Sequence, residues 1–102
     1  VTRIELRFTP ANLGLLAAGL KLATVRRERH AVVGDTFEAL QRTWRITAVV
    51  PMALGDAFRH LYPLEGFDSS EEFFDSWVAS YELVQPPDLN QGVYAHYFIG
   101  QA

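Results

Sequence analysis

Polar and apolar positions change period twice in the first thirty residues or so. From Thr2 to Phe8, Ile4, Leu6 and Phe8 alternate with Arg3, Glu5 and Arg7, which is the period of a half-buried strand. Thr9-Pro10 then supplies a side-chain cap and a first-turn proline, together a helix start. Leu13, Leu16, Ala17 and Leu20 recur at helical spacing and are expected to bury one stripe, with Gly19 ending the helix near Lys21. Ala23 to Arg27 reads as a second strand. Val33-Gly34-Asp35 is a turn that launches a third, from Thr36 to Leu40. Trp44 to Pro51, with Ile46, Thr47, Val49 and Val50, predicts a longer fourth strand.

Leu54 to Leu61 predicts a short helix closed off by Pro63. Ser69 and Glu72 match a capping box, in which the serine side chain takes an orphan N–H at the helix start. The helix it opens is expected to run to Leu83, with Phe73, Phe74, Trp77, Val78 and Tyr81 as its apolar stripe. Pro86-Pro87 begins a loop, and Val93 to Ile99 reads as a strand buried on both faces. The fold class is therefore α+β. Five to six mostly antiparallel strands are expected to curl into a small barrel, with two main helices packed on it.

Length and composition fit one domain over residues 1–102. Of the 102 residues, 49% are apolar and 13% aromatic, enough for a single core and too few for two. There is no cysteine, which favours a reducing, cytoplasmic setting for so small a domain. No apolar run is long enough to span a bilayer, and the strand-like start does not read as a signal peptide, so no membrane partner is expected. Net charge is −3, but its distribution is polarised. All nine Lys and Arg lie at or before Arg59 against five acidic residues, and from His60 onward there are seven acidic residues and no Lys or Arg. Such a chain can carry a local positive groove despite its acidic sum, unless the two halves interleave and cancel.

The candidate chemistry narrows quickly. His30, His60 and His96 lie far apart without metal-ligand spacing, so no metal site is expected. The glycines form neither a phosphate loop nor a dinucleotide fingerprint, and no cofactor is expected. What remains is the basic stretch Lys21 to Arg29. Thr24 and Arg26 share a strand face, and a turn after Lys21 would bring its ammonium to the same spot. A hydroxyl, an ammonium and a guanidinium in one concavity suit a phosphate, a carboxylate or a polarised carbonyl. Arg27 and Arg29 are read either as phosphate contacts or as a solvated loop. Trp44, Trp77 and most phenylalanines are assigned to the core. Tyr62, in the irregular Leu61-Tyr62-Pro63 link, is the aromatic placed at a pocket rim.

Four segments taken together extend this reading: GLKLATVR at 19–26, VGDTF at 33–37, EGFDSSEEFFDSW at 65–77 and VYAHYF at 93–98. Their order and spacing resemble the ASCH family of the PUA-like superfamily of small β-barrels, over most of the chain. The resemblance implies a cleft beside the early helix that faces RNA or a modified nucleoside. Some small members of that family are amidohydrolases that remove the acetyl group of 4-acetylcytidine, using a Lys, a Thr three residues later and a Glu further on. Carried onto this sequence, these are Lys21, Thr24 and Glu65 as catalytic residues, with Arg26 as their basic neighbour. Glu65 rests on the Glu-Gly-Phe segment as the anchor, since Glu71 and Glu72 lie close by. Residue 22 is Leu where a Thr or Ser is frequent. The expectation is an RNA- or nucleoside-binding domain lined by Lys21, Thr24, Arg26 and Glu65, with Arg27, Arg29 and Tyr62 around it. The alternatives are an amidohydrolase acting on acylated cytidine, and a regulatory module without catalysis.

Overall fold

A computed structural model describes residues 2–101. Among these, eight elements follow in the order α1 (Pro10–Ala17), β1 (Ala23–Arg26), β2 (Thr36–Ala39), β3 (Arg42–Ala53), α2 (Leu54–His60), α3 (Tyr62–Glu65), α4 (Ser70–Ser80) and β4 (Gly92–Gly100). The four strands form one curled antiparallel sheet in the order β1-β4-β3-β2. The α+β class expected from the sequence is the class observed, as a curled half-barrel of four strands, where five to six were expected, with four helices.

Two expected features take a different form. Thr2–Phe8 alternates as anticipated, with Leu6 buried between exposed Glu5 and Arg7. It meets the sheet through a single parallel bridge, Arg3 to Thr36, instead of a ladder. Alternation records one buried face of an extended segment and says nothing about hydrogen-bonded partners. Helix α2 ends at His60, ahead of Pro63 as expected, but Pro63 itself sits in the first turn of a further helix, α3, where its missing N–H leaves no bond unmade.

Local rules explain most of the boundaries. The Thr9 side chain accepts the Asn12 N–H at the head of α1, and the Ser69 side chain accepts the Glu72 N–H at the head of α4. Helix α1 stops earlier than Lys21. Gly19 takes a φ of +76°, and the Leu20 and Gly19 N–H groups return to the Leu15 and Leu16 carbonyls, a Schellman closure. That turn throws Leu20 into solvent, so of the expected stripe only Leu16 is fully buried. Helix α4 closes the same way at Glu82, whose φ is +51°. It therefore ends before Leu83.

Side chains on opposite faces of the sheet feed two clusters. Val25, Val93 and Ala95 face α2, α3 and α4, where Leu54, Phe58, Leu61, Phe73 and Trp77 complete the larger core. Ile46, Phe98, Phe37 and Trp44 face the other way, onto Leu6 and Leu16. Strand β4 lies between β1 and β3 and has buried residues on both faces, though Tyr94 and Tyr97 are half-buried and Ile99 is exposed.

Trp77 is 4% exposed and meets Phe58, Phe73 and Tyr81 with ring centroids 6.0, 6.5 and 4.5 Å away. Replacing Trp77 by Ala is expected to cost about 3–5 kcal/mol, read as a lower midpoint in chemical denaturation. An unchanged midpoint would contradict the packing described.

Candidate functional site

Strand β1 is an edge strand, and its free edge is where polar groups gather. Its outer N–H at Val25 donates to Glu65 Oε2 at 2.8 Å, and just before it the Leu22 N–H donates to the Leu64 carbonyl at 2.7 Å. The end of α3 thus covers an edge that would otherwise invite pairing with another strand. Gly66 makes this possible by taking a φ of +96°, at a point where a Cβ would lie 3.2 Å from the Leu15 side chain. A side chain there would be strained and crowded together.

The other oxygen of Glu65, Oε1, pairs with the Lys21 ammonium. Lys21 is 2% exposed and Glu65 4%. Both charges are thus withdrawn from water, and each is the other's compensation. Thr24, buried at 3% exposure, accepts a hydrogen bond from Arg26 Nε at 2.9 Å, while Arg26 Nη2 donates to the Arg7 carbonyl at 2.8 Å. Thr24 therefore keeps its own hydroxyl proton free to donate. Burial pushes the Arg26 pKa below its ordinary value, opposed by Tyr81 and by the negative charge of Glu65.

These four side chains line one cavity of about 190 Å³. Arg7, Phe8, Thr9 and Asn12 contribute the wall from the head of α1 and the segment before it. Phe67, Phe73, Ser76, Trp77, Ser80 and Tyr81 contribute the wall from α4 and its approach. The Arg26 guanidinium lies 5.1 Å from the centroid of the Phe8 ring, within cation–π range. Drug-sized ligands take pockets of about 300–1,000 Å³, so this space suits one ring-sized group.

No family model matches the sequence, and no curated protein matches it. Solved structures do match the fold. The hypothetical protein PH0355 superposes with a TM-score of 0.67 at 14% identity, over 92% of this chain and 94% of its own. An ASCH domain from Lactobacillus crispatus JV V101 superposes with a TM-score of 0.61 at 13% identity, over 97% of this chain and 77% of its own. This chain shares the fold of that ASCH domain. The protein EF3133 from Enterococcus faecalis V583 matches at a TM-score of 0.54 and 22% identity, covering 88% and 69% of the two chains.

Within this fold the three arginines diverge. Arg26 faces the cavity, and Arg27 lies over the Tyr81 ring at 3.9 Å. Arg29 is exposed and donates to the Ala31 carbonyl. Tyr62 is half-buried against the larger core and, like Arg27 and Arg29, does not line the cavity. Sequence reading missed Arg7, Phe8, Asn12, Ser76 and Ser80 as lining residues. For the two serines a signal existed: Ser76 and Ser80 are four apart on α4 and flank its aromatic stripe, so both fall on the side facing the sheet edge.

His96 braces the site from behind. It is fully buried and paired in register with Thr24 across β1 and β4. The His30 N–H donates to its Nε2 at 3.0 Å, so the ring proton sits on Nδ1, facing the Thr24 and Tyr94 carbonyls at 3.3 and 3.2 Å. Burial holds the His96 pKa below its ordinary 6.5, helped by His30 and Arg26 and opposed by the two carbonyls. The native state thus refuses a proton that the unfolded chain accepts. Stability is expected to be full above about pH 6.5 and to fall as pH drops below it, with a slope from this group of at most about 1.4 kcal/mol per pH unit. An NMR titration of the imidazole is expected to give a midpoint below 6.5; one at or above that value would overturn the assignment.

Proposed function

We propose that this domain binds a base or nucleoside-type ligand, free or within single-stranded RNA, in the cavity beside β1. The observation that carries the reading is the joint lining of one ring-sized space by fixed polar groups and by aromatic faces. Thr24 presents a free hydroxyl proton beside Arg26. Asn12, Ser76 and Ser80 add further hydrogen-bonding groups, and Phe8, Phe67, Trp77 and Tyr81 offer apolar walls. A base needs this combination: stacking faces for its rings, and donors and acceptors for its edge. The ASCH fold agrees with this reading, but a fold hosts many functions, so the site carries the argument.

The test is an NMR titration with cytidine and with a short single-stranded RNA. Binding is expected to shift the amide signals of Thr24, Val25, Arg26 and Ser76 together. Thr24→Val, which removes the hydroxyl with little change of shape, is expected to weaken binding about tenfold. Saturating ligand that leaves those signals unmoved would overturn the proposal.

A second reading is favoured by one specific observation: Lys21, Thr24 and Glu65, the set implied by the resemblance, line the same cavity. In this reading the domain is an amidohydrolase that deacetylates 4-acetylcytidine-type nucleosides. Paired with Glu65, Lys21 serves as a cation that steadies the oxyanion, not as the base. Glu65 holds that cation with one oxygen and the Val25 N–H with the other, and each oxygen keeps a further lone pair. Thr24 attacks the acyl carbon or orients a water that does, the proton of the attacking O–H passes through Glu65 to the cytidine N4 as the C–N bond breaks, and acetate leaves directly or by hydrolysis of the acyl-Thr24 ester. Wild-type protein is expected to release acetate and cytidine from 4-acetylcytidine, and Thr24→Ala to lose about 10² or more in rate. No release above an enzyme-free control removes the catalytic reading. Full rate in Thr24→Ala removes Thr24 from it.

A further inference from the structure

The guanidinium of Arg26 stands in the cavity wall without a carboxylate of its own. Its Nε and Nη2 are committed to Thr24 and to the Arg7 carbonyl, which fixes the plane of the group. Its Nη1 donates to no protein group among the described residues, and Arg26 enters none of the ion pairs found there. Glu65 is the one carboxylate among the lining residues, and Lys21 and the Val25 N–H hold both of its oxygens. Three cations, Arg7, Lys21 and Arg26, therefore share one anion, and that anion is spoken for.

A guanidinium keeps its charge at any ordinary pH. Arg26 is half-buried, and the part of its hydration lost to burial is unfavourable unless a counter-charge replaces it. The face of Phe8 offsets part of that cost, but a hydrocarbon ring supplies no counter-charge for Nη1. An in-plane acceptor has to come from outside the protein. Both Nη1 N–H groups and the second Nη2 N–H stay free of partners among the described residues, and such a planar fork matches phosphate oxygens best of all the groups that a nucleic-acid component carries.

We infer that the ligand of this cavity brings a phosphate oxygen to Arg26 Nη1, so that it enters as a nucleotide and not as a neutral nucleoside. The inference rests on the base-binding reading above and sharpens it. The same chemistry is offered by a free mononucleotide and by a phosphorylated RNA end.

The experiment compares cytidine, cytidine 5′-monophosphate and cytidine 3′-monophosphate by calorimetry at fixed ionic strength, with inorganic phosphate as a control. At least one monophosphate is expected to bind about tenfold tighter than cytidine, with an advantage that shrinks as salt is added. In Arg26→Gln the ratio of nucleotide to nucleoside affinity is expected to collapse toward one, and Arg26→Lys to retain part of it, since the charge stays but the fork is lost. Short RNAs with and without a 5′-phosphate separate the two sources. Tighter binding of the phosphorylated strand assigns the anion to a chain end, and an advantage confined to mononucleotides assigns it to a free nucleotide. Cytidine binding as tightly as both monophosphates to wild type overturns the inference while leaving the base pocket standing. Should neither nucleoside nor nucleotide bind, the base-binding reading falls and this inference with it. The wild-type ratio and its salt dependence decide the matter even where Arg26→Gln fails to fold.

Discussion

A lysine and a glutamate forty-four residues apart meet at the free edge of β1, both almost wholly out of water. Everything at the site hangs on that meeting. Glu65 takes the Lys21 ammonium with one oxygen and the Val25 N–H with the other, which fastens the end of α3 to the sheet edge. Fastened there, α3 turns the chain at Gly66 towards Phe67 and α4, and the cavity opens between α4 and the segment that leads into α1. A buried ion pair is a poor source of net stability, because desolvation consumes most of the attraction. What it supplies here is position. A well-packed apolar pair could hold the same elements together without presenting polar groups to the cavity.

The polarised charge of the chain acquires meaning from this arrangement. The basic half contributes Arg7, Lys21 and Arg26 to the cavity, and the acidic half contributes Glu65 with aromatic and hydroxyl side chains. Glu71, Glu72 and Asp75 of α4 are exposed and point away from the cavity wall. The two halves therefore interleave without cancelling locally. The concavity stays cationic on a chain whose sum is −3.

Much of this could be read from the sequence, for identifiable reasons. Caps are local rules, so Thr9-Pro10 and Ser69 with Glu72 predicted the heads of α1 and α4 correctly. Periodicity found β1, β2, β3 and β4 because each buries at least one face. The ladder expected at Thr2–Phe8 failed because a side-chain pattern does not report hydrogen-bond partners, and the short helix that starts at Tyr62 went unseen because proline favours a first turn as readily as an end. At the site, the convergence of Lys21, Thr24, Arg26 and Glu65 was legible because three lie in one short run and the fourth in a recognisable segment. The remaining wall was not. Arg7, Asn12, Ser76 and Ser80 come together only through the tertiary packing of α4 against the start of α1, and no spacing within the chain encodes that. The fate of Arg27 and Arg29 was equally hidden, since a run of arginines shows their number but not their directions.

If the Lys21–Glu65 pair is the keystone of the site, its two members must act as one unit. A double-mutant cycle in folding free energy, using Lys21→Met, Glu65→Leu and both together, measures this directly. Each single change strands a buried charge and is expected to cost about 3–5 kcal/mol, whereas the double change removes both charges and is expected to cost far less than the sum. Single costs that simply add would contradict the account, because they would mean that lysine and glutamate are held independently of each other.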